Sequence, residues 1–145
     1  MSLSLLDTHT TVRDGVAEVD GTWSGYLGAH GGYLAAIALR SAAQAVADEH
    51  RVPRSLGIHL LAPVRPGEVA LEPRLERAGR STSMASVRLA QQERAVAFAT
   101  AAFGTAGPGP AWEMLDLPDV PAPEDCAPLG FAPVPEAGMA QYVEY

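Results

Sequence analysis

The sequence predicts an α+β fold in which an antiparallel sheet wraps around one long helix, and three observations carry that prediction. A glycine-punctuated loop, Trp23 to Gly32, feeds an alanine-rich stretch with no Gly or Pro before Pro53, which reads as one uninterrupted helix. Short segments follow in which apolar and polar residues alternate, separated by tight-turn residues and not by further helices. One of these segments, Ala95 to Phe103, is continuously apolar, as a strand covered on both faces would be.

Taken in order, residues 1–12 read as a loose arm or a short edge strand. Arg13 to Tyr26 alternates weakly around Asp14-Gly15 and Asp20-Gly21, both good turn dipeptides, so a hairpin or first strand fits. Trp23 and Tyr26 lie just ahead of the helix, placed either to pack over its start or to line a pocket there. Along the helix Leu34, Ile37, Ala38, Ser41, Ala42, Ala45 and Val46 recur at three- and four-residue spacing, while Arg40, Gln44 and Asp48 form a narrow polar stripe. About 18 residues at ~1.5 Å each give roughly 27 Å, enough to span a small domain. Asp48 and Glu49 close it at the end where the macrodipole disfavours acids, so they are expected to be solvated.

After an exit loop at His50 to Pro53, Ser55 to Leu61 reads as a strand with Leu56, Ile58 and Leu60 on one face and His59 on the other. Ala62 to Gly67 is a turn. Glu68 to Arg80 is a half-buried strand with Val69, Leu71 and Leu75 inward, and Pro73 marks a bulge or an edge. Ala78-Gly79 turns the chain into Arg80 to Gln91, with Ser83, Ala85, Val87 and Leu89 on one face. Gln92-Glu93 turns it again into the apolar run, expected at the centre of the sheet.

Composition narrows the function. Residues 1–103 hold ten Arg and ten Asp or Glu, whereas residues 104–145 hold seven acids, no base and eight of the twelve prolines. No basic face exists for nucleic acid, and no apolar run approaches the roughly 18 residues of a membrane span. The single cysteine, Cys126, excludes an internal disulfide, and no His or Cys partner is spaced to make a metal site. The start of the chain lacks the pattern of a signal peptide, so a cytoplasmic protein is expected. The organisation reads as a domain over residues 1–103 and a Pro-rich acidic linker over 104–138, into which Trp112, Met114, Leu115 and Leu117 could dock a short piece. Residues 139–145 read as the possible first strand of a second domain.

Three features, in this order, point to a family: the paired glycines Gly31-Gly32 opening the helix, Pro63 to Gly67 after the next strand, and Arg77-Ala78-Gly79-Arg80-Ser81 before the following one. With them, residues 13–103 resemble the N-terminal half of the TesB-like acyl-CoA thioesterases, which fuse two hotdog domains. The resemblance implies a hotdog fold whose helix N-terminus points at the substrate carbonyl. There the Gly31 and Gly32 amides, aided by the helix dipole, would hold the oxyanion formed when a thioester is attacked. It implies an acyl-CoA or related thioester as substrate, no cofactor and no metal. His30, Gly31 and Gly32 are the catalytic candidates. Trp23, Tyr26, Tyr33, Arg80, Ser81 and Thr82 are the substrate-binding candidates, with Arg77, Arg80 and Arg88 available for phosphates.

The His-Gly-Gly triplet is also similar to single-domain hotdog thioesterases of the PaaI type, which carry a carboxylate about two turns into the helix. Here Leu39 stands at that position, and no acid lies between Gly32 and Asp48. Hydrolysis needs a group to activate water, and the resemblance implies that it comes from a second hotdog. His30 is either that base or a residue capping the turn. A non-catalytic hotdog module is the second reading, and a hydratase or dehydratase, which needs an Asp-His pair not visible in the sequence, is the third. A lone hotdog would leave an open sheet edge and an uncovered helix flank, so a homo-oligomer or a second hotdog is the expected partner.

Overall fold

The structure, a computed structural model, describes residues 4–112, 114–115 and 118–127. The Ser4 hydroxyl accepts from the Asp7 amide at 3.1 Å while the Asp7 carboxylate reaches back to the Ser4 amide at 3.3 Å, forming a capping box. That box opens α1 (Leu5–His9), a helix where a loose arm or edge strand was expected. So short a helix has no stability of its own, and tertiary contacts hold it. Asp7 pairs with Arg40 at 2.5 Å, the Gln44 amide donates to the Val12 carbonyl at 3.0 Å, and Thr10 is fully buried. The polar stripe of the long helix therefore receives the N-terminal arm, which covers part of the flank expected to be bare.

Asp14-Gly15 turns the chain at positive φ, 50° and 75°, between the bridged residues Arg13 and Val16. The strand β1 (Val16–Val19) buries Ala17 and Val19 and exposes Val16. Asp20 makes no hairpin. Its carboxylate accepts from the Thr22 amide at 2.7 Å and caps the 3-10 turn Gly21–Trp23.

The long helix α2 (Gly31–Val46) buries Tyr33, Leu34, Ile37, Ala38, Ser41 and Ala42, the face read from the periodicity. It stops at Ala47, which is left-handed at φ 50°, before reaching the acids expected at its end. Asp48 has a structural part although its side chain stays partly exposed, because it accepts from the His50 amide at 3.0 Å and from Arg51 Nε at 2.9 Å.

Four strands follow: β2 (Arg51–Leu60), β3 (Gly67–Ala78), β4 (Thr82–Gln91) and β5 (Arg94–Thr105). With β1 they form one antiparallel sheet in the order β1-β3-β4-β5-β2, lying on α2. Arg51 to Pro53, expected as a loop, is the start of β2. Ser83, Ala85, Val87 and Leu89 face the helix as predicted, but Leu75 is exposed. The apolar run lies inside the sheet, with Val96, Ala97, Ala99, Ala101 and Phe103 buried. Thr100 on the other face is exposed, so the expected double cover is absent there. Pro73 follows the edge rule, because β1 pairs with β3 only as far as Ala70. Gln92 and Glu93 make the β4–β5 turn at positive φ, 51° and 64°.

In the acidic segment the described residues contain only a short 3-10 turn, Pro123–Asp125. Trp112, Met114 and Leu115 are exposed and do not dock. Leu117 and the strand expected over 139–145 lie outside the described residues.

Candidate functional site

The glycine-rich loop is pinned at both ends before it reaches the helix. The His30 amide donates to the Trp23 carbonyl at 2.8 Å, the Gly25 amide to the Gly28 carbonyl at 2.7 Å, and the Ala29 amide to the Val64 carbonyl at 2.8 Å. Gly28 is required here. It sits at φ +153°, and a Cβ on it would lie 2.6 Å from the Val64 carbonyl oxygen. The loop is thus laid against the Pro63-Val64 turn, and α2 begins at a fixed point beside the end of β2. Gly31 approaches β2 closely, since a Cβ there would meet Leu60 Cδ1 at 3.1 Å.

At the tip of α2, His30 is the N-cap, and its Nδ1 accepts from the Gly32 amide at 3.2 Å. The amides of Gly31 and Tyr33 find no acceptor among the described residues. The tip therefore presents unsatisfied donors at the positive end of the helix dipole, with one further donor held by an exposed imidazole.

Beside the tip opens a cavity of about 290 Å³ lined by Leu27, Leu34, Leu60, Leu61, Pro63 and Val64 with the Gly28-Ala29 backbone and Ala62. No titratable side chain lines it. Leu27 is 70% exposed, Leu60 54% and Leu61 56%, so the cavity is a half-open apolar trough. The sequence held one signal for it. Leu60-Leu61 sets two large apolar residues side by side, where alternation would have sent one of them to water.

The structure separates the other candidates. Tyr26 is exposed in the loop next to Leu27. Tyr33 is buried and points into the fold: its hydroxyl donates to the His9 carbonyl at 2.8 Å and accepts from the Asp20 amide at 3.2 Å. Trp23 stacks on Tyr33 with centroids 5.7 Å apart, and its indole N–H donates to His9 Nδ1 at 3.0 Å. These two rings brace the tip from behind and do not line the trough.

Arg80, Ser81 and Thr82 lie at the opposite end of the sheet. Thr82 pairs with Gly104, and β2 pairs with β5 so that Val52 meets Gly104 while Leu60, at the tip of α2, meets Ala97. The hairpin carrying them is held from inside by Arg51, which donates to the Gly79 carbonyl at 2.8 Å and the Ser83 hydroxyl at 2.6 Å. Arg77 is on that same end, and Arg88 is on the outer face opposite Phe98.

Two acid-base features bear on chemistry. The helix α2 carries no carboxylate, and Asp48 beyond it is engaged by Arg51. The fold does assemble a His-Asp pair that the sequence did not reveal: His9 Nε2 lies 3.8 Å from Asp20 Oδ2. Asp20 is held below the usual carboxylate range by its hydrogen bonds from Thr22, first from the side chain and then from the backbone. This pair lines a groove of about 480 Å³ with Thr8, Arg13 and Glu68, separate from the trough, and His9 Nδ1 is committed to Trp23.

A family model described as the acyl-CoA thioesterase N-terminal domain matches residues 19–104. Among solved structures, a conserved protein of unknown function with a hot dog fold from Alicyclobacillus acidocaldarius superposes with a TM-score of 0.81 at 27% identity, covering 96% of this chain and 53% of that one. A candidate thioesterase II from Thermobifida fusca gives 0.80 at 24% identity, covering 99% and 54%. A hypothetical thioesterase from Streptococcus pneumoniae, solved with coenzyme A, gives 0.57 at 24% identity, covering 67% and 83%. The fold is therefore the hotdog fold, and the chain spans about half the length of the first two of these structures. No protein with a curated description is similar enough to be matched.

Proposed function

The chain belongs to the acyl-CoA thioesterase N-terminal domain family, and from that premise we propose that it is the N-terminal hotdog half of a TesB-like acyl-CoA thioesterase acting in the cytoplasm. The reaction adds water to the thioester carbonyl carbon, cleaves the C–S bond of the tetrahedral intermediate and returns a proton to the departing thiolate, giving a free acid and coenzyme A. One observation carries this reading: an apolar trough of about 290 Å³ is lined by Ala29 and Leu34, which flank the tip of α2 whose Gly31 and Tyr33 amides find no acceptor among the described residues. A developing oxyanion meets the Gly31 and Tyr33 amides there, and the Gly32 amide once His30 swings aside, while the acyl chain lies against Leu27, Leu60 and Leu61.

The water-activating carboxylate is assigned to a second hotdog unit, because α2 carries none. The same fact favours a second reading, in which this unit shapes the pocket and does no chemistry. The S. pneumoniae hotdog solved with coenzyme A supports that ligand as the first to try.

The test is amide NMR of the chain with a non-hydrolysable acyl thioether of coenzyme A. Large shifts at Gly31, Gly32 and Tyr33 are expected, and a ligand that leaves all three unmoved overturns the reading. In a free-thiol assay the 145-residue chain alone is expected to give only trace hydrolysis. Robust turnover abolished by His30→Ala would move the base to the histidine.

A further inference from the structure

Trp23 brackets the two glycines at the tip of α2. Its carbonyl accepts from the amide of His30, the residue before Gly31, at 2.8 Å. Its indole stacks on the ring of Tyr33, the residue after Gly32, with centroids 5.7 Å and planes 25° apart. The three-residue turn Gly21–Trp23 sets the backbone of Trp23, but a 3-10 turn does not by itself set a side chain. His9, at the end of α1, does so from the N-terminal arm. Its Nδ1 accepts from the indole N–H at 3.0 Å, with the rings edge to face at 6.4 Å and 83°, and its carbonyl accepts from the Tyr33 hydroxyl at 2.8 Å. One residue outside the trough thus holds both rings that flank the site.

Accepting from an indole leaves the imidazole one neutral form. Nδ1 carries the lone pair and Nε2 the proton, which faces Asp20 Oδ2 at 3.8 Å. An imidazolium donates from both nitrogens, so it cannot accept from Trp23. His9 is 21% exposed, and its groove gives protons access to it. The groups around it pull in both directions. Asp20 at the head of the turn, Glu18 of β1 and Glu68 of β3 share the groove and favour the cation, whereas Arg13 and the Trp23 donation favour the neutral ring. The α1 carboxylate of Asp7 is paired with Arg40 of α2, and the Tyr33 phenol of α2 engages the His9 carbonyl. Whatever the balance, the bond to Trp23 exists above the titration of His9 and is lost as pH falls through it.

We propose that His9 is a positioning residue for the thioester site and that its protonation gates that site. The neutral imidazole holds Trp23 and keeps the Gly31, Gly32 and Tyr33 amides aligned, and the imidazolium drops Trp23 and turns to Asp20. This rests on the thioesterase reading above and adds to it a control from the N-terminal arm. A site built on backbone amides depends on such support, because an oxyanion is held only by donors already in place.

The test is NMR of the full chain from pH 8 to pH 5, the span that brackets ordinary imidazoles, with the acyl thioether of coenzyme A titrated at both ends. In the parent, the Trp23 indole N–H is expected to move upfield as pH falls, with the exposed Trp112 as reference. The Gly31, Gly32 and Tyr33 amides are expected to shift in step, and analogue affinity to drop about tenfold, as loss of one hydrogen bond in the support would give. His9→Asn puts a carboxamide oxygen in place of Nδ1, an acceptor that does not titrate, and should hold the high-pH spectrum and affinity throughout. His9→Phe keeps a ring without an acceptor and should bind weakly at both ends. The difference between parent and His9→Asn isolates His9, because His30 and the coenzyme A phosphates titrate alike in both. A His9→Asn chain with the parent's pH profile, or an indole signal that moves while the three amides stay still, overturns the proposal. Indole and amides that titrate together in the parent but not in His9→Asn, in a chain that binds the analogue at neither pH, uphold the coupling and remove the thioesterase reading instead.

Discussion

Tyr33 follows the two glycines that open α2, yet its ring turns away from the trough. Its hydroxyl meets three backbone groups: it donates to the His9 carbonyl at 2.8 Å, with the Glu18 carbonyl a longer alternative acceptor at 3.3 Å, and accepts from the Asp20 amide. Tyr33→Phe leaves these groups short of a partner and is expected to cost about 1–3 kcal/mol in urea unfolding, with thioester-analogue binding unchanged. Burial pushes the Tyr33 phenol above its ordinary value. The stability tied to the neutral phenol is complete below the unfolded-state value of about 10 and is lost as pH rises through the higher folded value. Alkaline unfolding of the parent should thus show a dependence that Tyr33→Phe removes. Gly28 acts differently. Replacing it by Ala sets a Cβ against the Val64 oxygen at an unfavourable φ, so a loss of about 2 kcal/mol or more is expected, together with a displaced loop and weaker analogue binding.

Among the elements, α2 and the β3–β4–β5 meander were legible because each carries its own period. Leu34, Ile37, Ala38 and Ser41 mark the helix, and Ser83, Ala85, Val87 and Leu89 mark a strand. The arm was not, because α1 owes its existence to Asp7, Arg40 and Gln44 meeting in space, and a five-residue helix has no period to read. The site divided along the same line. The amide tip could be read from His30-Gly31-Gly32, but the trough needs Leu27, Leu60 and Val64, which only the fold brings together. The end of α2 was misplaced because a left-handed Ala47 gives no compositional warning. Attachment of the arm should be acid-labile. The Asp7 carboxyl is held below 3.8 first by its hydrogen bond from Ser4 and then by Arg40. The stabilisation is complete above that ordinary value and disappears as pH falls through the lower folded one. Hydrogen exchange should show residues 5–12 losing protection in acid before the sheet does, and Asp7→Asn should remove that step.

For the whole molecule, the two margins of the sheet are unequal. On the β1 side the outer strand is four residues long, and beyond Ala70 the free margin of β3 carries Glu72, Pro73, Arg74 and Glu76, a charged and proline-marked border that discourages pairing. On the other side β2 is ten residues long and, among the described residues, pairs only with β5, with Val52, Leu56 and Leu60 exposed along it and Leu61 just past its end. A guarded margin on one side and a longer apolar one open among the described residues on the other make the β2 side the place to look for a partner. The expected partner is a second hotdog, either another copy or a following domain, joined along β2 into a continuous sheet. That junction would also cover the Leu60-Leu61 wall of the trough and set each helix tip beside the arginine end of its neighbour. Light scattering of the chain at micromolar concentration should therefore show a dimer. Leu56→Lys combined with Leu60→Lys places like charges across a two-fold junction and should return it to monomer without lowering the melting temperature of the isolated fold. A parent chain that is a stable monomer at that concentration would separate the open margin from any partner, and the shared site would go with it.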